Sequence, residues 1–368
     1  MTVIIEARGL QKQYGGAAAV MDLSLAVNEG EFLSLLGASG SGKTTTLRMI
    51  AGLEQPTSGA VLFQGRDITH APAAQRNMRM VFQDFALFPN MTVWDNVAFG
   101  LRLRINRGRV TAPEIKARVG RYLDIVQLAG HAGKLPHQLS GGQRQRVALA
   151  RALITDPPIV LFDEPLGSLD ASMRKVMQIE LKRLHRELKK TFIYVTHDQE
   201  EAMGLSDRVA VMQDGRLLQL APPEEIYARP NSEAVARFIG TANVLSGSLD
   251  AIGSGPAVLL PGGTRIPLGD ATMAAAGTAV TIMIRAEHLR VGPASTTFGF
   301  AARVAERLFL GDKVRYELDL PGGGPRLTAL DTGSGSGSGN RFDIGDVVSV
   351  LLDSTRVCLI ARRPGASP

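Results

Sequence analysis

The sequence predicts an α/β domain over about residues 1–240, with a mostly helical segment inserted at about 94–155, and then a small all-β barrel domain over about 241–368. Three observations carry this expectation. Up to about residue 240, short apolar runs alternate with longer helical patterns. A glycine-rich turn lies between the first buried strand and a helix. After about residue 243, short β-like runs separated by Gly and Pro take over.

Glu31–Gly37 reads as a buried strand, and Lys43–Leu53 as the helix that follows its turn. Pro158–Phe162 and Phe192–Val195 read as two further buried strands. Between them, Ser172–Lys190 is an amphipathic helix whose Met173, Val176, Met177, Leu181, Leu184 and Leu188 recur at spacings of three and four. Within the inserted segment, the Arg and Gly content around Arg102–Val110 reads as a loop, and the insertion as a whole is a natural place for partner contacts. In the β-domain the strand-like runs are Val280–Ile284, Arg315–Leu320, Val347–Leu352 and Val357–Ile360. Gly333–Gly339 alternates Gly and Ser and reads as a flexible loop.

A chain of 368 residues is too long for one ordinary core and suits two or three domains. Its 45% apolar and 21% charged content argues against disorder. The single cysteine, Cys358, excludes an intramolecular disulfide framework and a cysteine-based zinc cluster. The amino terminus lacks the basic start and apolar run of a signal peptide. No run approaches the ~18 apolar residues needed to span a bilayer; the softest stretch, Ala271–Ile284, is too short. The expectation is a soluble or peripheral protein. A net charge of +6 fits nucleic acid, anionic lipid or a plain surface. Aromatic residues are only 5% and do not interleave with a basic cluster, which favours the plain surface over nucleic acid.

Three motifs carry chemistry. Gly37-Ala38-Ser39-Gly40-Ser41-Gly42-Lys43-Thr44 matches G-x-x-x-x-G-K-[ST] between a strand and a helix. Its glycines let backbone N–H groups face phosphates, Lys43 reaches the β- and γ-phosphates, and the Thr44 hydroxyl ligates Mg²⁺. Asp163 and Glu164 end an apolar strand, where α/β sheets place ligands. Asp163 suits Mg²⁺, and Glu164 suits the water that attacks a phosphate. Ser140-Gly141-Gly142-Gln143 opens a helix with a good N-cap and two free glycine N–H groups, a second anion-binding terminus. Each motif has a plainer reading: a Gly-rich loop, a solvated acidic turn, a capped structural helix. Their co-occurrence in this order favours phosphate chemistry.

Together, these motifs resemble the ABC ATPases over about residues 3–240. The resemblance implies a P-loop NTPase fold with a helical subdomain, ATP and Mg²⁺ as ligands, and ATP hydrolysis coupled to transport. It implies a pair of chains sandwiching two ATP molecules, each between the P-loop of one chain and the Ser140–Gln143 segment of the other. Thr45 then joins the ATP-binding residues of the P-loop. Tyr14 resembles the aromatic that stacks on adenine, and Gln83 the glutamine that senses Mg²⁺ and the attacking water. Asp170, in Ser168-Leu169-Asp170, resembles part of the loop joining the two ATP sites, and His197 the γ-phosphate histidine. Gly167 departs from the Ser or Asn of many relatives but removes no catalytic atom. His70, His131, His137, His185 and His288 share no metal-ligand spacing and read as surface or packing residues.

Thr196–Met203, Ser206–Met212 and Pro222–Tyr227 resemble the ATPases of bacterial solute importers. Those carry a carboxy-terminal OB-like regulatory domain of the TOBE type. Ile284–His288 and Leu308–Asp312 are similar to segments of it, with Ala286 in place of a proline. Leu181–Leu188, Thr191–Thr196 and the stretch ending at Asn243 are most similar to the spermidine/putrescine group; ferric-iron and phosphonate importers share most of these features. The resemblance implies two membrane permease subunits as partners, an extracytoplasmic solute-binding protein acting indirectly, and a place on the cytoplasmic face of the inner membrane. ABC ATPases of DNA repair or translation insert a long coiled coil or fuse two halves, and neither feature is present. A P-loop kinase leaves the Ser140 helix unexplained.

Overall fold

A computed structural model describes residues 2–103, 110–252, 255–269, 275–294, 299–332 and 342–360. The chain divides into two compact units, Met1–Pro223 and Glu224–Pro368. The Gly333–Gly339 segment and most of the Arg102–Val110 loop lie outside the described residues.

The elements of the first unit, in chain order, are β1 (Val3–Tyr14), β2 (Ala17–Asn28), β3 (Phe32–Leu36), α1 (Lys43–Ala51), β4 (Ser58–Phe63), β5 (Arg66–Asp67), β6 (Met78–Val81), α2 (Val93–Arg102), α3 (Ala112–Ile125), α4 (Gly141–Leu153), β7 (Ile159–Asp163), α5 (Ala171–Leu188), β8 (Thr191–Thr196), α6 (Gln199–Leu205), β9 (Arg208–Gln213) and β10 (Arg216–Ala221). An antiparallel sheet has the order β2-β1-β4-β5, and a second sheet the order β10-β9-β3-β8-β7-β6. In the second sheet β6, β7, β8, β3 and β9 run parallel, and β10 pairs antiparallel at the edge. All residues of β3, β7 and β8 are buried. That is why these strands read as continuous apolar runs rather than alternating ones. Helix α1 packs on β7 and β8, whereas α4 packs on α2, α3 and β6.

Helix α5 covers Ala171–Leu188, close to the expected span, and Met177, Leu181 and Leu184 are buried. Val176 does not join the buried stripe and is 49% exposed. It lies one residue, about 100° of helix turn, from Met177, so the two cannot share a narrow seam.

The second unit holds α7 (Pro223–Ala228), α8 (Glu233–Phe238), β11 (Ala242–Ile252), β12 (Gly255–Leu259), β13 (Arg265–Pro267), β14 (Ala279–Arg285), β15 (Leu289–Pro293), β16 (Phe300–Phe309), β17 (Val314–Asp319), β18 (Arg326–Asp331), β19 (Val347–Leu352) and β20 (Cys358–Ile360). Two five-stranded antiparallel sheets, β13-β12-β11-β14-β20 and β15-β19-β16-β17-β18, share one core of residues such as Val258, Ile282, Val304, Leu318 and Val350. This is the OB-like all-β domain. The compact unit that contains it starts at Glu224 and includes the two short helices before β11. Arg285 is only 1% exposed, and its guanidinium donates to the carbonyls of Tyr227, Ala236 and Ile239. It also lies 4.3 Å from the Tyr227 ring centroid. The Tyr227 hydroxyl in turn donates to Glu287. A buried cation satisfied by backbone oxygens ties the 227–239 segment to the sheets that follow it.

Among the described residues, no helix is long and apolar enough to cross a membrane.

Candidate nucleotide site

Four adjacent parallel strands deliver the predicted groups to one edge. β3 ends in the loop Gly37–Gly42, β8 in Thr196 and His197, β7 in Asp163 and Glu164, and β6 two residues before Gln83. Their order in the sheet is β3-β8-β7-β6, in register as Leu36↔Thr196, Asp163↔Val195 and Val81↔Phe162. Neighbouring parallel strands lie about 4.8 Å apart. Segments up to 160 residues apart in sequence therefore converge at the carboxyl ends of the strands, where such sheets bind ligands.

The loop is shaped by glycine where nothing larger fits. A Cβ at Gly37 would lie 2.3 Å from Met212 O and 2.5 Å from Ser41 Oγ. Gly42 has φ 94° and caps α1 without any side-chain hydrogen bond. Among the described residues, the N–H groups of Gly42, Lys43, Thr44 and Thr45 have no protein acceptor. Ala38, Ser39 and Gly40 are exposed, while Ser41 and Lys43 are buried. The result is a row of unpaired backbone donors at a helix start, which fits an anionic phosphate chain.

Lys43 Nζ donates to Gly37 O at 2.9 Å and Ala38 O at 2.8 Å. Burial lowers its pKa, opposed by the charges of Glu164 and Asp163. The Thr44 hydroxyl donates to Asp163 Oδ1 at 2.8 Å. Burial raises the Asp163 pKa, and the Thr44 bond and Arg48 pull it back. Arg48 Nη2 stands 3.9 Å from Asp163 Oδ2, a partner the sequence reading did not single out. A hydroxyl and a carboxylate side by side are hard oxygen donors of the kind Mg²⁺ takes when phosphate and water complete its shell. The residues present therefore fit the metal.

Glu164 sits at φ 45°, a left-handed conformation that non-glycine residues adopt at a cost and chiefly where function or packing requires it. Its N–H donates to Val195 O at 3.1 Å, and its Oε2 accepts from His197 Nδ1 at 3.2 Å. His197 and Glu164 thus meet directly. Gln83 is exposed, and a Cβ at Gly167 would come 3.7 Å from Gln83 Nε2 and 3.5 Å from Glu164 O. Both are ordinary contact distances, so a side chain at 167 would border the Gln83 amide without displacing it. Tyr14 closes β1, 49% exposed, with Lys12 Nζ 4.9 Å from its ring centroid.

The Ser140 segment is built differently. Ser140 Oγ accepts from Gln143 N–H at 3.3 Å, and Gln143 Oε1 accepts from Ser140 N–H at 3.0 Å. This reciprocal pair is a capping box. A Cβ at Gly142 would lie 2.7 Å from Met173 Sδ. Gln143 Nε2 also stands 3.1 Å from His131 Nε2, which gives that histidine a contact with the segment. Asp170 caps α5, accepting from Met173 N–H at 2.9 Å and from the Ser172 hydroxyl at 2.7 Å.

Three polar residues that sequence reasoning missed hold the surroundings. Fully buried Asn96 donates to the carbonyls of Phe88, Met91 and Thr92. Arg151 bonds the backbone just after Gln83. Arg174 joins Leu169 O to Asp198 and Glu201, beside His197. No local pattern marks any of them.

Residues 20–167 match the family described as ABC transporter, and residues 282–360 match the TOBE domain. The chain is 48% identical over 361 residues to a spermidine/putrescine import ATP-binding protein of Rubrobacter xylanophilus, covering 97% of this chain and 93% of that one. Among solved structures, it resembles a Clostridium perfringens protein described as part of an ABC transporter complex (29% identity, TM-score 0.57, 64% of this chain and 94% of that one). It also resembles an ATP-binding cassette dimer bound to ADP and Pi in a post-hydrolysis state (33% identity, TM-score 0.53, 60% of this chain and 99% of that one). The chain belongs to the ABC transporter family, as one of its ATP-hydrolysing subunits.

Proposed function

We propose that this chain powers polyamine import, working as a pair on the cytoplasmic face of the membrane beneath two permease subunits. The observation that carries the cargo is the 48% identity, over nearly the full length of both chains, to the Rubrobacter protein whose name states spermidine/putrescine import. The paired arrangement draws on the dimeric cassette bound to ADP and Pi. It is further supported by the open site: Ala38, Ser39, Gly40 and Ser140 are all exposed.

In this reading the unpaired N–H groups of Gly42 to Thr45 receive the phosphate chain, and the Lys43 ammonium leaves the Gly37 and Ala38 carbonyls to meet the β- and γ-phosphates. Thr44 and Asp163 would hold Mg²⁺, with Gln83 at its edge; the ion supplies charge neutralisation on the phosphate oxygens. Glu164 orients the attacking water and accepts its proton as the bond to the γ-phosphorus forms and the β–γ bridge breaks. His197, already bonded to Glu164, donates toward the γ-phosphate. The Tyr14 ring stacks on adenine. Ser140, Gly141, Gly142 and Gln143 close the site from the other chain, and Asp170 lies in the loop between the two sites.

The test is uptake of labelled spermidine in cells with the chain deleted, restored, or replaced by Lys43→Ala. Uptake should return with the intact chain only. Unchanged spermidine uptake on deletion, together with lost uptake of ferric iron or a phosphonate, would sink the polyamine assignment.

A further inference from the structure

The turn after Gln83 is held in a conformation its sequence does not favour. Phe85 (φ 65°) and Ala86 (φ 45°) are consecutive non-glycine residues in the left-handed region. L-residues visit that region singly and at a cost, so two in succession need support from outside the turn. Part of it is the burial of Phe85, which packs into the core that holds Phe162 and Leu166.

The rest comes from the last turn of α4. Arg151 Nη1 donates to Ala86 O at 2.7 Å, and Nη2 donates to Phe85 O at 2.9 Å. Its guanidinium carbon stands 5.5 Å from the Phe88 ring centroid. The planar fork of an arginine meets two carbonyls only when they lie side by side, so these bonds and the turn specify each other. Further along the loop, Asn96 of α2 accepts from Phe88 N–H at 2.9 Å and holds the carbonyls already described. The segment from Phe85 to Thr92 is thus pinned by one helix at each end.

Helix α4 begins at the Ser140 cap and carries Arg151 in its last turn. One stiff rod therefore joins the segment that meets a partner's nucleotide to the turn that carries Gln83. We propose that Arg151 is a positioning residue that makes the Gln83 turn move as one body with α4, so that engagement of the Ser140 end sets Gln83 against its own subunit's γ-phosphate. This rests on the reading above that Gln83 and Ser140 both meet nucleotide.

The experiment uses the purified full chain, with ATP turnover and binding of a fluorescent ATP analogue measured separately. Arg151→Met should lower kcat about tenfold and leave the Kd of the analogue within about twofold, because the cradle is untouched and only a remote group is misplaced. Ala86→Gly should bring that variant back to within about threefold of the Ala86→Gly protein, because glycine holds the left-handed turn without a clamp. Wild-type kcat in Arg151→Met overturns the proposal. So does a double variant no better than Arg151→Met, since Arg151 would then only pack α4. Should Arg151→Met fail to fold, Arg151→Lys carries the test. One ammonium cannot bridge both carbonyls as the fork does, so kcat should fall and Ala86→Gly should restore it; full kcat in Arg151→Lys overturns the proposal. Glu164→Gln run in parallel separates the two readings: if it hydrolyses normally, the assignment of the site fails, independently of the link through Arg151.

Discussion

Two helix starts in the first unit, both assigned to anions in the proposed reading, are built in opposite ways. At α1 the cap is Gly42, with no side chain to offer, and four successive N–H groups stay without a protein acceptor. At α4 the cap is Ser140, and the side chains of Ser140 and Gln143 already satisfy each other's backbone N–H groups. The first leaves its donors to water or to a ligand. The second is nearly self-sufficient, so an anion docking there would have to compete with its own cap. In the proposed reading, this contrast lets one chain hold nucleotide at α1 and leave α4 stable until a partner's nucleotide reaches it.

The largest effect should come from treating the two ends as separable. Lys43→Ala should abolish nucleotide binding by the isolated chain and lower hydrolysis about a thousandfold, by loss of a cation from the phosphate cradle. Ser140→Arg should also stop hydrolysis, by obstructing closure, yet leave nucleotide affinity of the isolated chain near wild type. Mixing the two variants creates one site with both lesions and one with neither, so ATPase activity should partly recover. Equal loss of binding in both variants would erase the distinction between the ends.

A smaller effect sharpens it. Ser140→Ala removes one partner of the capping box and should cost about 1 kcal/mol of stability, seen as a fall of a few degrees in Tm, with nucleotide affinity of the isolated chain unchanged. No change in Tm would mean that the α4 end is held by packing such as Met173 against Gly142 rather than by its cap.

A third helix start gives the smallest effect. In α6, Asp198 caps by accepting from Glu201 N–H, and the buried Glu201 carboxylate accepts from Tyr194 and Thr196 hydroxyls. Burial raises its pKa, against those hydrogen bonds. A raised carboxyl binds its proton more tightly when folded. Its contribution to stability is present below the ordinary glutamate value of about 4.3 and is lost as pH rises through the folded value. The Tm of Glu201→Gln minus that of wild type should therefore climb from acid toward neutral pH and then level off. A flat difference would contradict the raised value.

These three starts differ in how much of them a sequence can reveal. The α1 loop is readable because its donors are consecutive residues, and steric demands such as 2.3 Å at Gly37 leave only glycine possible. Asp163, Glu164 and His197 are readable because each ends an apolar run, and strand ends are where such sheets place chemistry. Arg151, Asn96, Arg174 and Arg285 are not readable. Arg151 and Arg285 act on backbone carbonyls that only the finished fold brings near, Arg174 on carboxylates more than twenty residues away, and Asn96 on carbonyls of the preceding loop, and none of these partners forms a periodic pattern in the sequence. Val176 was misplaced for a related reason, since a spacing of three or four leaves the edge of a helical stripe undetermined until its neighbour is known. The long β1–β2 hairpin escaped notice because several of its residues alternate in burial, which dilutes any apolar run.

The buried guanidinium of Arg285 has a consequence for modular inheritance. Its acceptors, the carbonyls of Tyr227, Ala236 and Ile239, precede the first strand of the β unit. A recombination or a fusion that transplanted only the sheets would carry the arginine and leave its acceptors behind, stranding a charge in an apolar interior. The heritable cassette must therefore start upstream of Tyr227. A pair of short helices that resembles a linker travels with the barrel as part of its interior chemistry.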